Sequence, residues 1–168
     1  AVFSDLYCPH GAAHAATLKK LLDEFGGKIR VVFKHRPVSV FAASRVAACA
    51  AIAAQEQAKF WDMHDKVIGN LAPGHTREDS EAAGGEQKIP KRLVAYALEI
   101  RLDLDAFRAV MEGDRCQKEI DDDLALAAKL GVTGTPTTFV NGRRIVGAAP
   151  IDVFRAVIED ELKKVKGK

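Results

Sequence analysis

The chain has 168 residues, of which 48% are hydrophobic and 29% charged, which is typical of a soluble globular protein of one domain or one domain with an insertion. Its formal charge of +2 is too small to indicate nucleic-acid binding, and no apolar run approaches the roughly 20 residues of a membrane-spanning helix. The three cysteines, Cys8, Cys49 and Cys116, cannot all pair within one chain, so at least one is free or pairs with another molecule.

The chain begins with a short apolar strand that leads directly into a cysteine at the start of a helix. The helix is predicted from apolar residues at the 3.6-residue period, and Gly26-Gly27 ends it. This places Cys8 at the N-cap and Pro9 at the first helical position, where a missing N–H is tolerated. Unpaired backbone N–H groups and the helix dipole stabilise a thiolate there. The pattern favours a reactive thiol, although a buried cysteine that happens to begin a helix is the alternative.

A second strand is predicted from Lys28 to His35, because the segment is rich in β-branched and aromatic residues and Arg36-Pro37 ends it. This composition indicates a central strand. The strand, helix and strand form a βαβ unit, whose two strands we expect to be parallel and joined by a right-handed crossover.

Only helical patterns occur between Ala42 and Leu130, apart from one stretch rich in glycine and charge, Leu71–Gln87, which is predicted to be an exposed loop. The predicted helices cover Ala42–Gln57, Phe60–Ile68, a segment that begins at Pro90, Leu104–Val110 up to Gly113, and Ile120–Ala128 up to Gly131.

Strand-type sequence returns after this helical segment. Two short runs, Thr137–Val140 and Arg143–Val146, flank Asn141-Gly142, a pair that predicts a β-hairpin with a type I′ turn. Pro150 begins a last amphipathic helix. The whole chain is therefore predicted to be an α/β protein with the order βαβ, a helical insertion and ββα.

The motif Cys8-Pro9-His10-Gly11 resembles the Cys-Pro-His-Cys site of the DsbA-like thiol:disulfide oxidoreductases, within the thioredoxin superfamily. The segment Lys59–His64 also resembles the helical insertion of that family. The resemblance implies a thioredoxin fold with an all-helical insertion, formed by a thioredoxin-like domain over 1–41 and 131–168 and an insertion over 42–130. The departure is Gly11, which stands where the family has its second, resolving cysteine.

The segment Gly131–Thr137 resembles the cis-proline loop of the same family, which implies that Thr135 and Pro136 lie across from Cys8 and bind substrate. A proline just before a strand cannot donate to the ladder and belongs at its first residue or a bulge. Only about 5–6% of X–Pro bonds in folded proteins are cis, so the sequence alone favours a trans turn and the resemblance favours cis. A cis bond would present the Thr135 backbone to an extended substrate.

Two further sets of residues are candidate sites. Cys8, His10 and His14 could in principle bind a soft metal, but their directions diverge and no fourth ligand is evident, so no metal site and no cofactor are expected. His10 is instead expected to tune the thiolate electrostatically, as the resemblance implies. Cys49, on a helix face rich in alanine, is expected to be a buried, inert thiol, and Cys116, among charged residues, is expected to be exposed; both are expected to be unpaired. Cys116 could serve as a distant resolving cysteine, but the expectation is against it, because pairing needs Cα atoms within about 7 Å.

The resemblance implies a thiol:disulfide oxidoreductase in which Cys8 attacks a protein or glutathione disulfide. The mixed disulfide would then be resolved by an external thiol or an external redox protein. The alternative is a redox-silent module that binds extended peptides or a partner protein near Pro136. Gly11 favours the binding module, whereas the retained motif residues favour the enzyme. Gly11→Cys is expected to fit unless the φ of Gly11 is positive.

Disulfide chemistry indicates an extracytoplasmic (periplasmic or secreted) protein. The sequence starts without methionine and without a signal peptide, within the predicted first strand. We therefore expect a processed chain whose export signal has been lost.

Overall fold

The computed structural model describes residues 1–39, 43–70 and 90–166. Its strands are β1 (Val2–Ser4), β2 (Phe33–His35), β3 (Thr137–Val140) and β4 (Arg143–Val146). Its helices are α1 (Pro9–Phe25), α2 (Ala43–Gln55), α3 (Phe60–Gly69), α4 (Lys91–Glu99), α5 (Leu104–Glu112), α6 (Asp114–Lys129) and α7 (Ile151–Lys166), with a short 3₁₀ turn at Gly26–Lys28. Within these ranges, no helix is both long and apolar enough to cross a membrane.

The four strands form one mixed sheet in the order β2-β1-β3-β4. β1 pairs with β2 in parallel and with β3 antiparallel, so the predicted βαβ unit is confirmed. The prediction of a central second strand is wrong, because β2 lies at the edge of the described sheet. Helix α6 covers this edge: the Asp123 carboxylate accepts the backbone N–H of His35 at 2.7 Å and binds Lys34 Nζ at 2.7 Å. The aromatic residue of β2, Phe33, packs against Phe60 and His64 of α3, which accounts for the apolar character of an edge strand.

The predicted hairpin is also present. β3 and β4 pair antiparallel from Thr137↔Val146 to Val140↔Arg143. Asn141 and Gly142 have φ values of 46° and 90°, and a type I′ turn requires positive φ at both central residues.

Both faces of the sheet are covered. Val2 and Phe3 are neighbours on β1, point to opposite faces and are each 1% exposed. Phe3 packs with residues of α6 and the segment after it. On the other side, α1 and α7 pack against β4 through a cluster of apolar residues, Leu21, Phe25, Ile145, Phe154 and Ile158. A sheet buried on both faces matches the expected α/β architecture.

The helical insertion has a core built on α2, whose alanines allow other helices to approach closely. Cys49 of α2 and Cys116 of α6 form a disulfide, with Cα atoms 5.1 Å apart. The prediction that both are unpaired is therefore wrong, as is the expected exposure of Cys116, which is fully buried. The two helices pack directly against each other, and this proximity is hidden by a sequence separation of 67 residues. Cys49 is buried as expected.

The order of elements confirms a thioredoxin fold with an all-helical insertion. The predicted loop Leu71–Gln87 lies outside the described residues, as does the expected boundary between residues 41 and 42. The division into 1–41 with 131–168 and 42–130 stays a prediction.

Candidate active site

Cys8 lies at the N-cap of α1, and Pro9 is the first residue of that helix, as the sequence predicts. The Cys8 backbone is extended, with φ −79° and ψ 124°, and its carbonyl accepts the N–H groups of Gly11 at 2.8 Å and Ala12 at 3.3 Å. The residue is only 6% exposed, whereas a reactive thiol at a helix start is expected to be at least partly exposed. With Cys49 and Cys116 bonded to each other, Cys8 is the only free cysteine of the chain.

The loop before β3 reaches the Cys8 sulfur. The Thr135–Pro136 peptide bond is cis, and Cys8 Sγ lies 4.0 Å from the carbonyl oxygen of Thr135. Neighbouring hydrogen bonds hold this loop: Gly147 N–H donates to the Pro136 carbonyl at 2.8 Å, and Thr137 Oγ1 donates to the Gly134 carbonyl at 2.8 Å. The fold therefore brings together two segments that are 127 residues apart in the chain.

Arg36 connects the two halves of the site, which the sequence analysis did not foresee. Its backbone N–H donates to the carbonyl of Ser4 at 2.9 Å, at the end of the strand that leads to Cys8. Its side-chain Nε donates to the carbonyl of Val132 at 3.2 Å, in the loop that carries Pro136. Arg36 thus links the cysteine segment to the proline loop.

Asp5 is a second residue that the sequence analysis missed. It is 2% exposed, three positions before Cys8, and its carboxylate accepts hydrogen bonds from three donors. Burial raises the pKa of this carboxyl, while the donors and the charge of Arg36 act in the opposite direction. The signal in the sequence was an aspartate at the end of an apolar strand, since such side chains often hold the backbone two residues further on.

Gly11 packs against the turn that precedes Cys8. A Cβ built on Gly11 would lie 2.7 Å from the backbone oxygen of Asp5 and 3.1 Å from Ser4 Oγ. The expectation that Gly11→Cys fits without steric conflict is therefore wrong. The obstacle is a backbone atom of the neighbouring turn, and the φ of Gly11 is not in the positive region.

Gly11→Ala should therefore destabilise the protein by about 1–3 kcal/mol, because the turn that holds Cys8 must move to make room for the methyl group. The control is Gly69→Ala, since Gly69 also lies in a helix and its Cβ would meet no atom within 4 Å. That control should be neutral or stabilising by up to about 1 kcal/mol. Urea denaturation measures both, and equal stabilities for the two variants would contradict the packing at Gly11.

The histidines near Cys8 point to different places. His10 is exposed, whereas His14 is 1% exposed, and its Nε2 lies 3.0 Å from Thr138 Oγ1. Burial lowers the pKa of His14 to about 4, so this imidazole is neutral at physiological pH. Cys8, His10 and His14 thus do not converge, and no group of three metal-ligating side chains occurs in the described part of the chain.

A cavity of about 480 Å³ lies at the opposite end of the sheet from Cys8. Ala1, Val32 and Phe139 are among its lining residues, which come from the start of β1, the segment before β2 and the hairpin. None of the residues of the Cys8-Pro9-His10-Gly11 motif lines it, nor do Thr135 and Pro136. The cavity is therefore separate from the thiol.

A Thioredoxin family model matches residues 1–160, which is nearly the whole chain. The chain belongs to the thioredoxin family. Among solved structures, this thioredoxin-family chain is similar to a thioredoxin-like oxidoreductase from Silicibacter pomeroyi DSS-3, with a TM-score of 0.75, 25% identity and coverage of 96% of this chain and 84% of the other. It shares the fold of alpha-DsbA2 from Wolbachia pipientis, with a TM-score of 0.76, 23% identity and coverage of 95% and 78%. The expected DsbA-like resemblance is confirmed.

The curated relatives of this thioredoxin-family chain are of two kinds. It is 36% identical over 157 residues to Na(+)/H(+) antiporter NhaA 1 of Salinispora arenicola, covering 93% of this chain but only 22% of the antiporter. It is 27% identical over 169 residues to disulfide bond formation protein D of Bacillus subtilis, covering 96% of this chain and 71% of that protein. The chain thus spans about a fifth of the antiporters that it matches.

Proposed function

We propose that this chain is a thiol:disulfide oxidoreductase that acts through Cys8 alone. The observation that carries the proposal is the position of the sole free cysteine, at a helix N-terminus with its sulfur 4.0 Å from the Thr135 carbonyl. Backbone N–H groups and the dipole of a helix start favour a thiolate. A protein without thiol chemistry would have no need of a cysteine in this place.

The reaction that we propose is one thiol–disulfide exchange. The Cys8 thiolate attacks one sulfur of a substrate disulfide, the substrate S–S bond breaks, and a new S–S bond forms between Cys8 and that sulfur. The second substrate sulfur leaves as a thiolate. An external thiol then attacks the mixed disulfide and releases Cys8 as a thiolate. Protein disulfides and glutathione disulfide are the substrate classes that fit this step.

The other residues of the motif would have supporting roles. Pro9 begins the helix whose N-terminus faces the sulfur, and His10, exposed one residue further on, would act on the thiolate through its charge. Thr135 and Pro136 would bind an extended substrate segment by backbone pairing beside Cys8. Gly11 would make the site a single-thiol site, since its contact with Asp5 leaves no room for a side chain.

An external thiol is required because neither of the other cysteines can resolve the mixed disulfide. Cys49 and Cys116 are bonded to each other, and both are buried in the helical insertion. The external thiol would come from glutathione or from a redox partner protein. The internal disulfide and the thiol chemistry both favour an oxidising, extracytoplasmic setting. A structural neighbour from Salmonella enterica serovar Typhimurium is described as a periplasmic thioredoxin-like protein, which supports the same setting.

A redox-silent binding module is the second candidate, and the low exposure of Cys8 favours it. In that case the cis-proline loop would bind an extended peptide or a partner protein, and Cys8 would only fill space. The two candidates differ in what happens at the sulfur, so one experiment separates them.

Incubation of the protein with oxidised glutathione is expected to add one glutathione to Cys8, with release of one glutathione thiolate. The adduct should persist until an external thiol is added, because no neighbouring cysteine can break it. Intact-protein mass spectrometry measures the adduct, and peptide mapping assigns it to Cys8.

Cys8→Ser is the control and should form no adduct, because the remaining cysteines are paired and buried. If the unmodified protein forms no adduct and peptide binding survives Cys8→Ser, the oxidoreductase proposal is wrong and the binding-module proposal is supported. The fold would be unaffected by either result.

A further inference from the structure

We propose that Asp5 is a positioning residue for disulfide exchange at Cys8, which it serves by fixing the turn between β1 and α1 against the helical insertion. The inference rests on the proposed function, since it concerns how the same thiol is held for its substrate. It adds a residue outside the Cys-Pro-His-Gly motif to the site.

The Asp5 carboxylate binds three donors from three parts of the chain. Its Oδ1 accepts the backbone N–H of Tyr7 at 2.8 Å, within the turn that leads to Cys8. Its Oδ2 accepts the backbone N–H of Val38 at 2.8 Å, in the segment after β2, and the Ser44 hydroxyl at 2.8 Å, in the first turn of α2. The same side chain therefore ties the cysteine turn to both the sheet and the insertion.

The backbone of Asp5 contacts the cysteine directly. Its carbonyl oxygen accepts the N–H of Cys8 at 3.2 Å, and the same oxygen lies where a Cβ of Gly11 would be. A shift of Asp5 would therefore move Cys8 relative to the Thr135 carbonyl, against which its sulfur rests. Exchange with a peptide depends on this alignment, since a misplacement of about 1 Å can lower a rate by roughly 100-fold.

The burial of Asp5 indicates that the network is not incidental. A buried carboxylate is costly unless its oxygens are hydrogen-bonded, and here both oxygens are. The charged and titratable groups that act on it are Arg36, which favours the ionised form, and Tyr7. Arg36 also binds the Val132 carbonyl, so Asp5 and Arg36 together hold both sides of the site.

The test compares two reactions of Cys8 in the full chain. The first is exchange with an extended peptide that carries a mixed disulfide to thionitrobenzoate, whose release is followed by absorbance. The second is alkylation by iodoacetamide, which needs a thiolate but no aligned substrate. Asp5→Asn keeps the shape of the side chain and the acceptor for Tyr7 but places an amide group against Val38 N–H. It should lower the peptide rate relative to the iodoacetamide rate by roughly 10-fold or more.

Ser44→Ala removes one of the three donors to Asp5 and should lower the ratio of the peptide rate to the iodoacetamide rate by a smaller factor. This variant keeps the test decisive if Asp5→Asn fails to fold. The matched control is Asp123→Asn, because Asp123 is a buried aspartate that also accepts a backbone N–H, but on α6 beside β2. The control should leave the ratio unchanged, even if it lowers stability.

An unchanged ratio in both Asp5→Asn and Ser44→Ala would overturn the proposal. An equal fall in Asp123→Asn would also overturn it, since the effect would then be one of general stability. If the unmodified protein exchanges with no disulfide at all, neither peptide nor oxidised glutathione, the proposed function itself is wrong and the role of Asp5 falls with it.

Discussion

Acidification from pH 7 to about 4 is expected to lower the free energy of unfolding by about 6 kcal/mol, because His14 and His35 are buried in their neutral forms. Burial lowers the pKa of each imidazole from 6.5 to about 4. A pKa change of this size corresponds to about 3 kcal/mol of folding stability for each histidine. The two side chains lie in different parts of the fold, so their contributions should be close to additive.

The sign follows from which state binds more protons. Below pH 6.5 the unfolded chain takes up a proton at each of these histidines, while the folded protein does not until the pH approaches 4. Stability is therefore complete above the unfolded pKa and falls through this window. Burial also lowers the pKa of His64, which adds in the same direction. The raised pKa of Asp5 acts in the opposite direction, since its protonation in acid favours the folded state.

Urea denaturation at a series of pH values between 7 and 4 measures this dependence. In His14→Phe the free energy of unfolding should depend less steeply on pH, because one titrating histidine has been removed. The phenylalanine ring still packs beside Phe154 but does not titrate. His10→Gln is the control, since His10 is exposed in the folded protein. A pH-independent free energy of unfolding would show that these histidines are not neutral and buried.

Loss of the Cys49–Cys116 disulfide is expected to lower the free energy of unfolding by about 4 kcal/mol. The bond joins residues 67 positions apart. A cross-link that closes a loop of this length lowers the conformational entropy of the unfolded chain, which stabilises the folded state by about 4 kcal/mol. The Cys49→Ala/Cys116→Ala double variant measured against the oxidised protein by urea denaturation gives the value directly.

Cys8→Ser serves as the control for this measurement and should change stability far less. Serine differs from cysteine only in having oxygen in place of sulfur, and it is a favourable N-cap residue. Cys8→Ser is also introduced into both the disulfide-bonded protein and the double alanine variant. Without the Cys8 thiol, no exchange with the Cys49–Cys116 disulfide can occur during unfolding. Equal midpoints for the protein with and without the disulfide would show that the bond does not form in solution.

The first strand, the helix after it and the hairpin are local signals, and the structure has these elements as predicted. The second strand, predicted from Lys28, begins only at Phe33, and the helix predicted from Ile120 already begins at Asp114. The N-cap position of Cys8 depended on Pro9 and on a helical period that continued to Phe25, which are neighbours in the chain. The hairpin depended on Asn141-Gly142, whose positive φ values are a property of those two residues. Such signals need no knowledge of the rest of the fold.

The largest errors concern residues that meet only in three dimensions. Cys49 and Cys116 were assigned as unpaired because nothing in the sequence shows that α2 packs directly against α6. β2 was placed inside the sheet because a strand buried by a helix and a strand buried by its neighbours have the same composition. The fit of Gly11→Cys was judged from backbone torsion alone, whereas the obstacle is a carbonyl oxygen of another turn.

The sequence by itself determined the thioredoxin-type order of elements and the placement of a lone cysteine at a helix start, because both follow from periodicity and capping along the chain. The family resemblance implied that Thr135 lies across from Cys8, but no local pattern did. Only the tertiary structure decided that Arg36 links the cysteine segment to the proline loop, that Asp5 ties the cysteine turn to Ser44, and that the other cysteines are joined. Asp5 and Val38 are 33 residues apart in the chain, and Cys8 and Thr135 are 127 residues apart. Packing of the helices on the sheet sets these contacts, and no local pattern encodes that packing.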